Sequence, residues 1–175
     1  MKNAFAIWSL VLAAVWPAAA IASEEENKLL AVFFGRFSNY IELPDRSAKN
    51  FVITLIDENP FGSLLDELYK GKLINGKPVE IRYVTRVEDI GQSDILFVTL
   101  VNPRARQDAI AYARKSSILT ISTALGFAER GGIIQLDFLQ QHTRIKINHG
   151  AAVKSNIRIG APLLSLATVI RGDQP

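Results

Sequence analysis

Two buried-strand patterns, each followed by an Asn-Pro pair, constrain this sequence more than any other feature. Residues 51–57 (FVITLID) and 95–100 (ILFVTL) are nearly continuous apolar runs rich in β-branched residues, which is typical of strands covered on both faces. Asn59-Pro60 and Asn102-Pro103 follow them, and each pair joins a favourable N-cap to a proline that fits the first helical position. A strand followed by a helix, twice, predicts an α/β protein with a parallel core.

Four further segments extend this pattern. Residues 79–84 and 118–122 predict strands that complete a mostly parallel central sheet of about four strands. Residues 133–138 and 144–148 alternate apolar and polar side chains, which predicts an antiparallel C-terminal hairpin on the edge of that sheet. We therefore expect a single three-layer α/β domain with helices on both faces of the sheet.

Helical patterns occur near both ends of the chain. Residues 25–40 repeat apolar side chains on one face, with glutamates at the start and Pro44 beyond the end, as is typical of helix boundaries. A last helix is expected after Pro162. Its predicted buried residues are Leu163, Leu166, Ala167 and Ile170.

The first 22 residues have the pattern of a secretory signal peptide. Lys2 supplies the positive end, residues 4–15 form an apolar stretch, and small residues up to Ala22 form a cleavage motif. This apolar stretch is shorter than the roughly 20 residues of a membrane-spanning helix, so we expect cleavage after Ala22 and no retained anchor. Residues 23–175 would then form one exported domain, without a transmembrane segment, in the periplasm.

Charge and composition exclude several classes of partner. The chain carries a formal net charge of +3, and loss of residues 1–22 removes only Lys2 from its charged residues. No basic cluster or RNA-binding aromatic pattern accompanies this nearly neutral balance, so nucleic acid is not an expected partner. The chain has no cysteine, so neither disulfides nor thiol switches operate in it.

The sequence contains no complete set of catalytic or metal-binding residues. It lacks a Gly-x-Ser-x-Gly motif, a Walker loop and a dinucleotide-binding fingerprint. Its two histidines, His142 and His149, are seven residues apart, which is not the spacing of a zinc-protease helix. Asp57 and Glu58 end a buried strand, as acids do in magnesium-binding receiver domains, but no aspartate follows the strand at 95–100. We therefore expect no catalysis, no metal and no cofactor.

Two sets of side chains remain as candidates for recognition. The first helix has an apolar face wider than one packing stripe, so this face either packs entirely on the sheet or leaves part of itself for a partner. The second arm of the hairpin places Ile145 and Ile147 inward and polar residues outward, on either a solvated face or a recognition face. A recognition face there would suit a small anionic or cell-wall ligand. The candidate binding residues are Phe34, Phe37, Tyr40, Arg144, Lys146 and Asn148.

The order of several motifs resembles a known protein family. The motifs are FFGRFSNYIELP, then NPFGSLLDEL, then ILFVTL, and last ILTISTALGFAERGGIIQLDFLQQHTRIKINHGAAVKSNIRIGAPLLSLA. In this order they resemble the YfiR/HmsC-like family of bacterial periplasmic proteins, over about residues 27–167. The most specific parts are Gly126-Phe127 through Gly131-Gly132, the RIKIN segment ending in Asn148, and the final IRIGAPLLSLA.

This resemblance implies a regulatory role without catalysis. Members of the family are periplasmic, dimerise, and hold an inner-membrane diguanylate cyclase inactive by binding its periplasmic part, which limits cyclic di-GMP and biofilm formation. The chain departs from its relatives at Leu43-Pro44, where the family usually has Trp-Pro. It also lacks the cysteines that many relatives carry, which excludes redox control of repression.

Overall fold

The computed structural model describes residues 18–139 and 142–171. Its helices, in chain order, are α1 (Ala18–Phe37), α2 (Leu64–Tyr69), α3 (Pro103–Lys115), α4 (His149–Lys154) and α5 (Ala161–Ser165), with a 3-10 turn at Val87–Asp89. Its strands are β1 (Ile41–Glu42), β2 (Phe51–Ile56), β3 (Leu73–Ile74), β4 (Lys77–Val84), β5 (Ile95–Val98), β6 (Leu119–Ser122), β7 (Ile134–Leu139), β8 (His142–Asn148), β9 (Arg158–Ile159) and β10 (Thr168–Ile170).

The central feature of the described residues is a mixed sheet of eight strands in the order β10-β8-β7-β6-β5-β2-β4-β3. The five strands β4, β2, β5, β6 and β7 run parallel to one another. β8 pairs antiparallel with β7, β3 pairs antiparallel with β4, and β10 pairs parallel with β8. The α/β class and the antiparallel hairpin are therefore confirmed, but the sheet is larger and more mixed than the predicted four-stranded core. The prediction that the hairpin forms the edge of the sheet is wrong, because β10 lies outside β8.

The two outermost strands explain the difference in sheet size. β3 has two residues and β10 has three, so neither is long enough to show the apolar alternation by which strands are recognised in a sequence. A separate two-stranded ribbon joins β1 to β9, with Ile41 opposite Ile159. β1, β9 and β10 form because distant parts of the chain already lie side by side. β3 is local instead, because the turn at Asn75-Gly76, where both residues have positive φ, joins it directly to β4.

Helices cover both faces of the sheet, as predicted. Alternate residues of the buried strands point to opposite sides, so Ile53 and Phe97 enter one core while Ile56 and Leu96 enter the other. α1 and α2 close the first core, and α3 closes the second. This two-sided burial accounts for the nearly unbroken apolar runs of β2 and β5.

The first helix ends earlier than the sequence predicts. α1 begins at Ala18 and ends at Phe37, so the predicted end at Tyr40, before Pro44, is wrong. After a turn, Ile41 is 4% exposed and belongs to the strand that pairs with β9. The Gly160 N–H donates to the Tyr40 carbonyl at 2.7 Å, so a contact distant in sequence replaces the last helical turn.

The two Asn-Pro pairs have different outcomes. Asn102 caps α3 as predicted, because its Oδ1 accepts from the N–H groups of Arg104 and Ala105 at 2.9 and 3.2 Å. Asn59 instead holds a turn, in which its Oδ1 accepts from the Phe61 N–H at 3.0 Å and its Nδ2 donates to the Gly62 carbonyl at 2.9 Å. α2 therefore begins only at Leu64 and is shorter than its pattern suggests.

The largest difference between prediction and structure lies in the C-terminal segment. α5 ends at Ser165, and the residues predicted to continue it form β10, in which Ile170 pairs with Asn148 of β8. Leu163 is buried as predicted, but Leu166 is 77% exposed. α4 was not predicted at all, because its six residues carry no apolar repeat.

None of the helices in the described part of the chain has the length and apolar character that a bilayer span requires.

The predicted signal peptide lies largely outside the described residues, which begin at Ala18. Cleavage after Ala22 therefore stays a prediction.

Candidate interaction surfaces

The hairpin formed by β7 and β8 places its predicted residues unequally. Asp137 lies opposite Arg144 in the register, and Gln135 lies opposite Lys146. Ile147 is fully buried and Ile145 is half-buried against the same core, which confirms their inward orientation. Arg144 is exposed on the other face.

The positive charge of Lys146 is balanced by two acidic neighbours. Its Nζ lies 2.9 Å from Glu129 Oε1 and 3.7 Å from Asp137 Oδ2. The hydrogen bond to Glu129 raises the pKa of Lys146, and the same bond lowers the pKa of Glu129, so both groups are held in their charged forms. An anionic ligand would have to compete with these carboxylates.

Asn148 is not exposed beside Arg144, because the turn that contains Ala128 covers this end of the face, so the prediction of an accessible Asn148 is wrong. Its side chain is buried, and its Oδ1 accepts from the Ala151 N–H at 2.8 Å as the N-cap of α4. Its Nδ2 donates to the Ala128 carbonyl, also at 2.8 Å. The whole amide is therefore committed to holding the fold. Asparagine is a preferred N-cap residue, so the presence of Asn148 before residues 149–154 was the sequence signal that could have indicated this role.

The turn after β6 packs onto the hairpin through Glu129, which binds Lys146, and through the backbone of Ala128. Ala128 has its N–H bound by Gln135 Oε1 at 3.2 Å and its carbonyl bound by Asn148. A Cβ added to Gly132 would lie 2.1 Å from the Phe127 ring, which is fully buried, so only glycine fits there. The segment that resembles the family most specifically is thus a packing motif in this chain.

The aromatic residues predicted on α1 are mostly core residues. Phe34 is 0% exposed, and its ring packs edge-on against Phe61 and Phe97 with centroids 5.8 and 5.5 Å away. Phe37 is buried as well, whereas Tyr40 is 47% exposed. Among the three predicted aromatic residues of this face, Tyr40 alone offers surface to a partner.

A different part of α1 is exposed and apolar. Leu29 and Val32 face outward on the helix, and Leu73 of the edge strand β3 is 63% exposed. Between α1, α2 and β3 lies an open groove of about 360 Å³, which we call the α1–β3 groove. Its lining residues are Val32, Gly35, Arg36, Ser38, Asn39, Leu68, Tyr69, Lys72, Leu73, Ile74 and Asn75.

Tyr69 ties the two helices of the groove together. Its hydroxyl donates to the Ala31 carbonyl and accepts from the Gly35 N–H, each at 2.7 Å. These are the two groups that a regular α-helix joins directly, so the hydroxyl bridges one step of the α1 hydrogen-bond ladder. A Cβ at Gly35 would lie 3.0 Å from this hydroxyl oxygen, so glycine permits its close approach.

The groove carries positive charge only. Arg36 and Lys72 line it, and no acidic side chain does. Neither cation forms an ion pair with another residue in the described ranges. The pattern of the sequence did not single these residues out, because α1 and β3 are more than thirty positions apart along the chain.

The other positions considered for chemistry are dispersed. Asp57 has a positive φ of 83° at the exposed end of β2, and His142 and His149 lie at the starts of β8 and α4. Within residues 18–139 and 142–171, no group of three or more His, Asp or Glu side chains is arranged to hold a metal ion.

Comparison with known proteins identifies one family. A family model described as YfiR/HmsC-like matches residues 27–168, which is most of the chain. No curated protein matches.

Comparison with solved structures gives two matches of low sequence identity. A conserved domain protein from Vibrio cholerae O1 biovar El Tor is 15% identical with a TM-score of 0.55, and the match covers 84% of this chain and 60% of that one. An ABC domain in complex with L-Trp from Streptococcus pneumoniae is 16% identical with a TM-score of 0.49, over 69% and 55% of the two chains. The chain thus spans about 60% of the Vibrio protein, and this similarity concerns the fold alone.

Proposed function

Because this chain belongs to the YfiR/HmsC-like family of periplasmic, non-catalytic regulators, we propose that it binds the periplasmic part of an inner-membrane diguanylate cyclase and represses that enzyme. Repression would limit cyclic di-GMP and biofilm formation. The observation that carries this proposal is the family match over residues 27–168. The exposed apolar surface beside α1 supports it, because such surfaces mark interaction sites.

The physical basis of repression is unequal binding to two conformations of the cyclase. A regulator that binds the inactive conformation more tightly than the active one shifts the population toward the inactive conformation. Each difference of about 1.4 kcal/mol between the two binding free energies shifts it by a factor of ten. No catalytic residue is needed on the regulator. We propose that the chain is exported, loses residues 1–22 and acts as a homodimer in the periplasm.

Co-purification and a cellular measurement test the proposal together. The tagged full-length chain, exported in its own organism, should co-purify with a membrane diguanylate cyclase, and deletion of its gene should raise cyclic di-GMP. Deletion in a strain whose cyclase is catalytically inactive is the control, in which cyclic di-GMP should not change. Absence of any cyclase from the purified complex, together with unchanged cyclic di-GMP in the deletion strain, would exclude this function.

The alternative function is an envelope module that binds a small anionic or cell-wall ligand on the hairpin. Arg144 remains exposed and suits a carboxylate or phosphate. Lys146 is already paired and Asn148 is buried, so this face carries less available charge than its sequence suggests. A ligand found in a thermal-shift screen, whose stabilisation is lost in Arg144→Ala, would favour this alternative over repression.

A further inference from the structure

The α1–β3 groove has apolar walls that the fold does not cover. Val32 on α1 is 37% exposed and Leu73 on β3 is 63% exposed, and Leu68 of α2, which is half-buried, lines the same groove. β3 is also the last strand on its side of the sheet, so its outer edge has no strand partner among the described residues. Apolar side chains beside an open sheet edge are a feature that soluble proteins usually cover.

The floor of the groove is fixed before any partner arrives. Tyr69 is 7% exposed, and its hydroxyl is held on both sides by the backbone of α1. A floor held in this way loses little conformational freedom when a ligand binds, which favours affinity. The groove is therefore a preformed recess and not a gap between mobile helices.

The charge of the groove restricts its occupant. Arg36 and Lys72 line the recess, no carboxylate does, and neither cation is paired in the described residues. An apolar segment without charge would leave both cations unpaired, and a basic segment would be repelled. A segment with apolar side chains and a neighbouring Asp or Glu satisfies both the walls and the cations.

We propose that the α1–β3 groove receives an acidic amphipathic segment of the partner protein, which inserts apolar side chains between Val32 and Leu73 and places a carboxylate near Arg36 and Lys72. This inference rests on the proposed function, so the partner is the periplasmic part of the diguanylate cyclase. A recess of about 360 Å³ is near the lower limit of ligand pockets, which suits side chains that protrude from a partner.

Charge reversal and apolar-to-acidic variants test the groove. The affinity of the purified mature chain for the cyclase's periplasmic domain is measured by titration calorimetry, for wild type, Lys72→Glu and Leu73→Asp. Two matched controls change the same residue types outside the groove. Lys70→Glu lies at the exposed C-cap of α2, and Leu166→Asp replaces a side chain that is 77% exposed. All five proteins are first compared by thermal unfolding to exclude misfolding.

We expect each groove variant to raise the dissociation constant at least about tenfold, as the loss of a central interface residue does. Both controls should bind as tightly as wild type does. Replacing an acidic residue of the partner segment by lysine should restore binding to Lys72→Glu. If wild type binds and the groove variants bind equally well, the groove inference is wrong while the proposed function stands. If the wild-type chain binds no cyclase domain, the proposed function is wrong and the groove inference is wrong with it.

Discussion

Tyr69 connects α2 to the backbone of α1 through a single hydroxyl group. The oxygen accepts from one backbone group and donates to another, at the step of α1 where Gly35 leaves room for it. Leu65, Leu68 and Tyr69 follow Asn59-Pro60 at helical spacing, which predicts that Tyr69 lies on the apolar face of a helix, and it is buried there. It cannot predict the bridge, because the bridge depends on how α1 and α2 are placed against each other.

Replacing Tyr69 by Phe should destabilise the fold by about 1–3 kcal/mol, because the change leaves the buried Ala31 carbonyl and the partly buried Gly35 N–H without their partner. Urea unfolding followed by circular dichroism measures this. Tyr83→Phe is the matched control, since the Tyr83 hydroxyl bonds Asp66 at an exposed site and its loss should cost less. Equal losses of stability in the two variants would contradict a special role for Tyr69.

Stability should also depend on Tyr69 at high pH. Burial raises the pKa of Tyr69 to about 12, partly opposed by the hydrogen bond from Gly35, whereas an unfolded tyrosine has a pKa of about 10. Between these values the unfolded state loses the proton first, so wild-type stability falls as pH rises from about 10 to 12. The stability difference between wild type and Tyr69→Phe should shrink over this window. A difference that stays constant would show that Tyr69 ionises normally.

Asn148 illustrates how a polar residue at the end of a strand can be misassigned. Alternation along β8 places it outward with Arg144 and Lys146, but α4 starts immediately afterwards and turns the chain. The amide then caps α4 and binds Ala128. Its role is decided by α4, which follows it, and by the turn that contains Ala128, which covers it, and not by its position in the strand.

Replacing Asn148 by Ala should cost about 1–3 kcal/mol of unfolding free energy, since a helix N-cap and a buried backbone carbonyl both lose their partner. Lys146→Ala, two residues earlier, should cost less than about 1 kcal/mol, because its ion pair with Glu129 is near the surface. Chemical denaturation of both variants measures the contrast. A smaller loss for Asn148→Ala than for Lys146→Ala would contradict the assigned role.

At the scale of whole elements, agreement with the sequence depends on length. α3 has an N-cap, a proline in its first turn and thirteen residues, and its predicted start at Asn102-Pro103 agrees with the structure. α4 and α5 have six and five residues, too few for a helical repeat to be distinguished from chance. The predicted last helix therefore merges α5 with β10, which adopts an extended conformation because β8 offers it hydrogen bonds.

The end of α5 gives a direct test of this correction. Leu163→Ala should cost about 2–5 kcal/mol, as loss of a buried leucine side chain does, because Leu163 is 4% exposed. Leu166→Ala should change stability by no more than about 0.5 kcal/mol, since Leu166 is 77% exposed. A continuous helix would instead bury both. Equal destabilisation by the two substitutions, measured by urea unfolding, would favour the predicted helix.

At the scale of the whole molecule, the proposed periplasmic location gives a measurable outcome. Full-length chain expressed in a Gram-negative host should appear in the osmotic-shock fraction and begin at Ser23, because the cleavage motif ends at Ala22. A variant that lacks residues 1–22 is the control and should remain in the cytoplasm. Recovery of the chain in the membrane fraction with residues 1–22 still attached would indicate a retained anchor.

The residue pattern is sufficient for the α/β class, the parallel core, the hairpin and the family, because these depend on long periodic runs and on motifs in a fixed order. The tertiary structure decides the eight-stranded order, the burial of Phe34, Phe37 and Asn148, and the α1–β3 groove. The reason is physical. Whether an apolar face is core or surface depends on which distant element packs on it, and only the fold brings α1 beside β3.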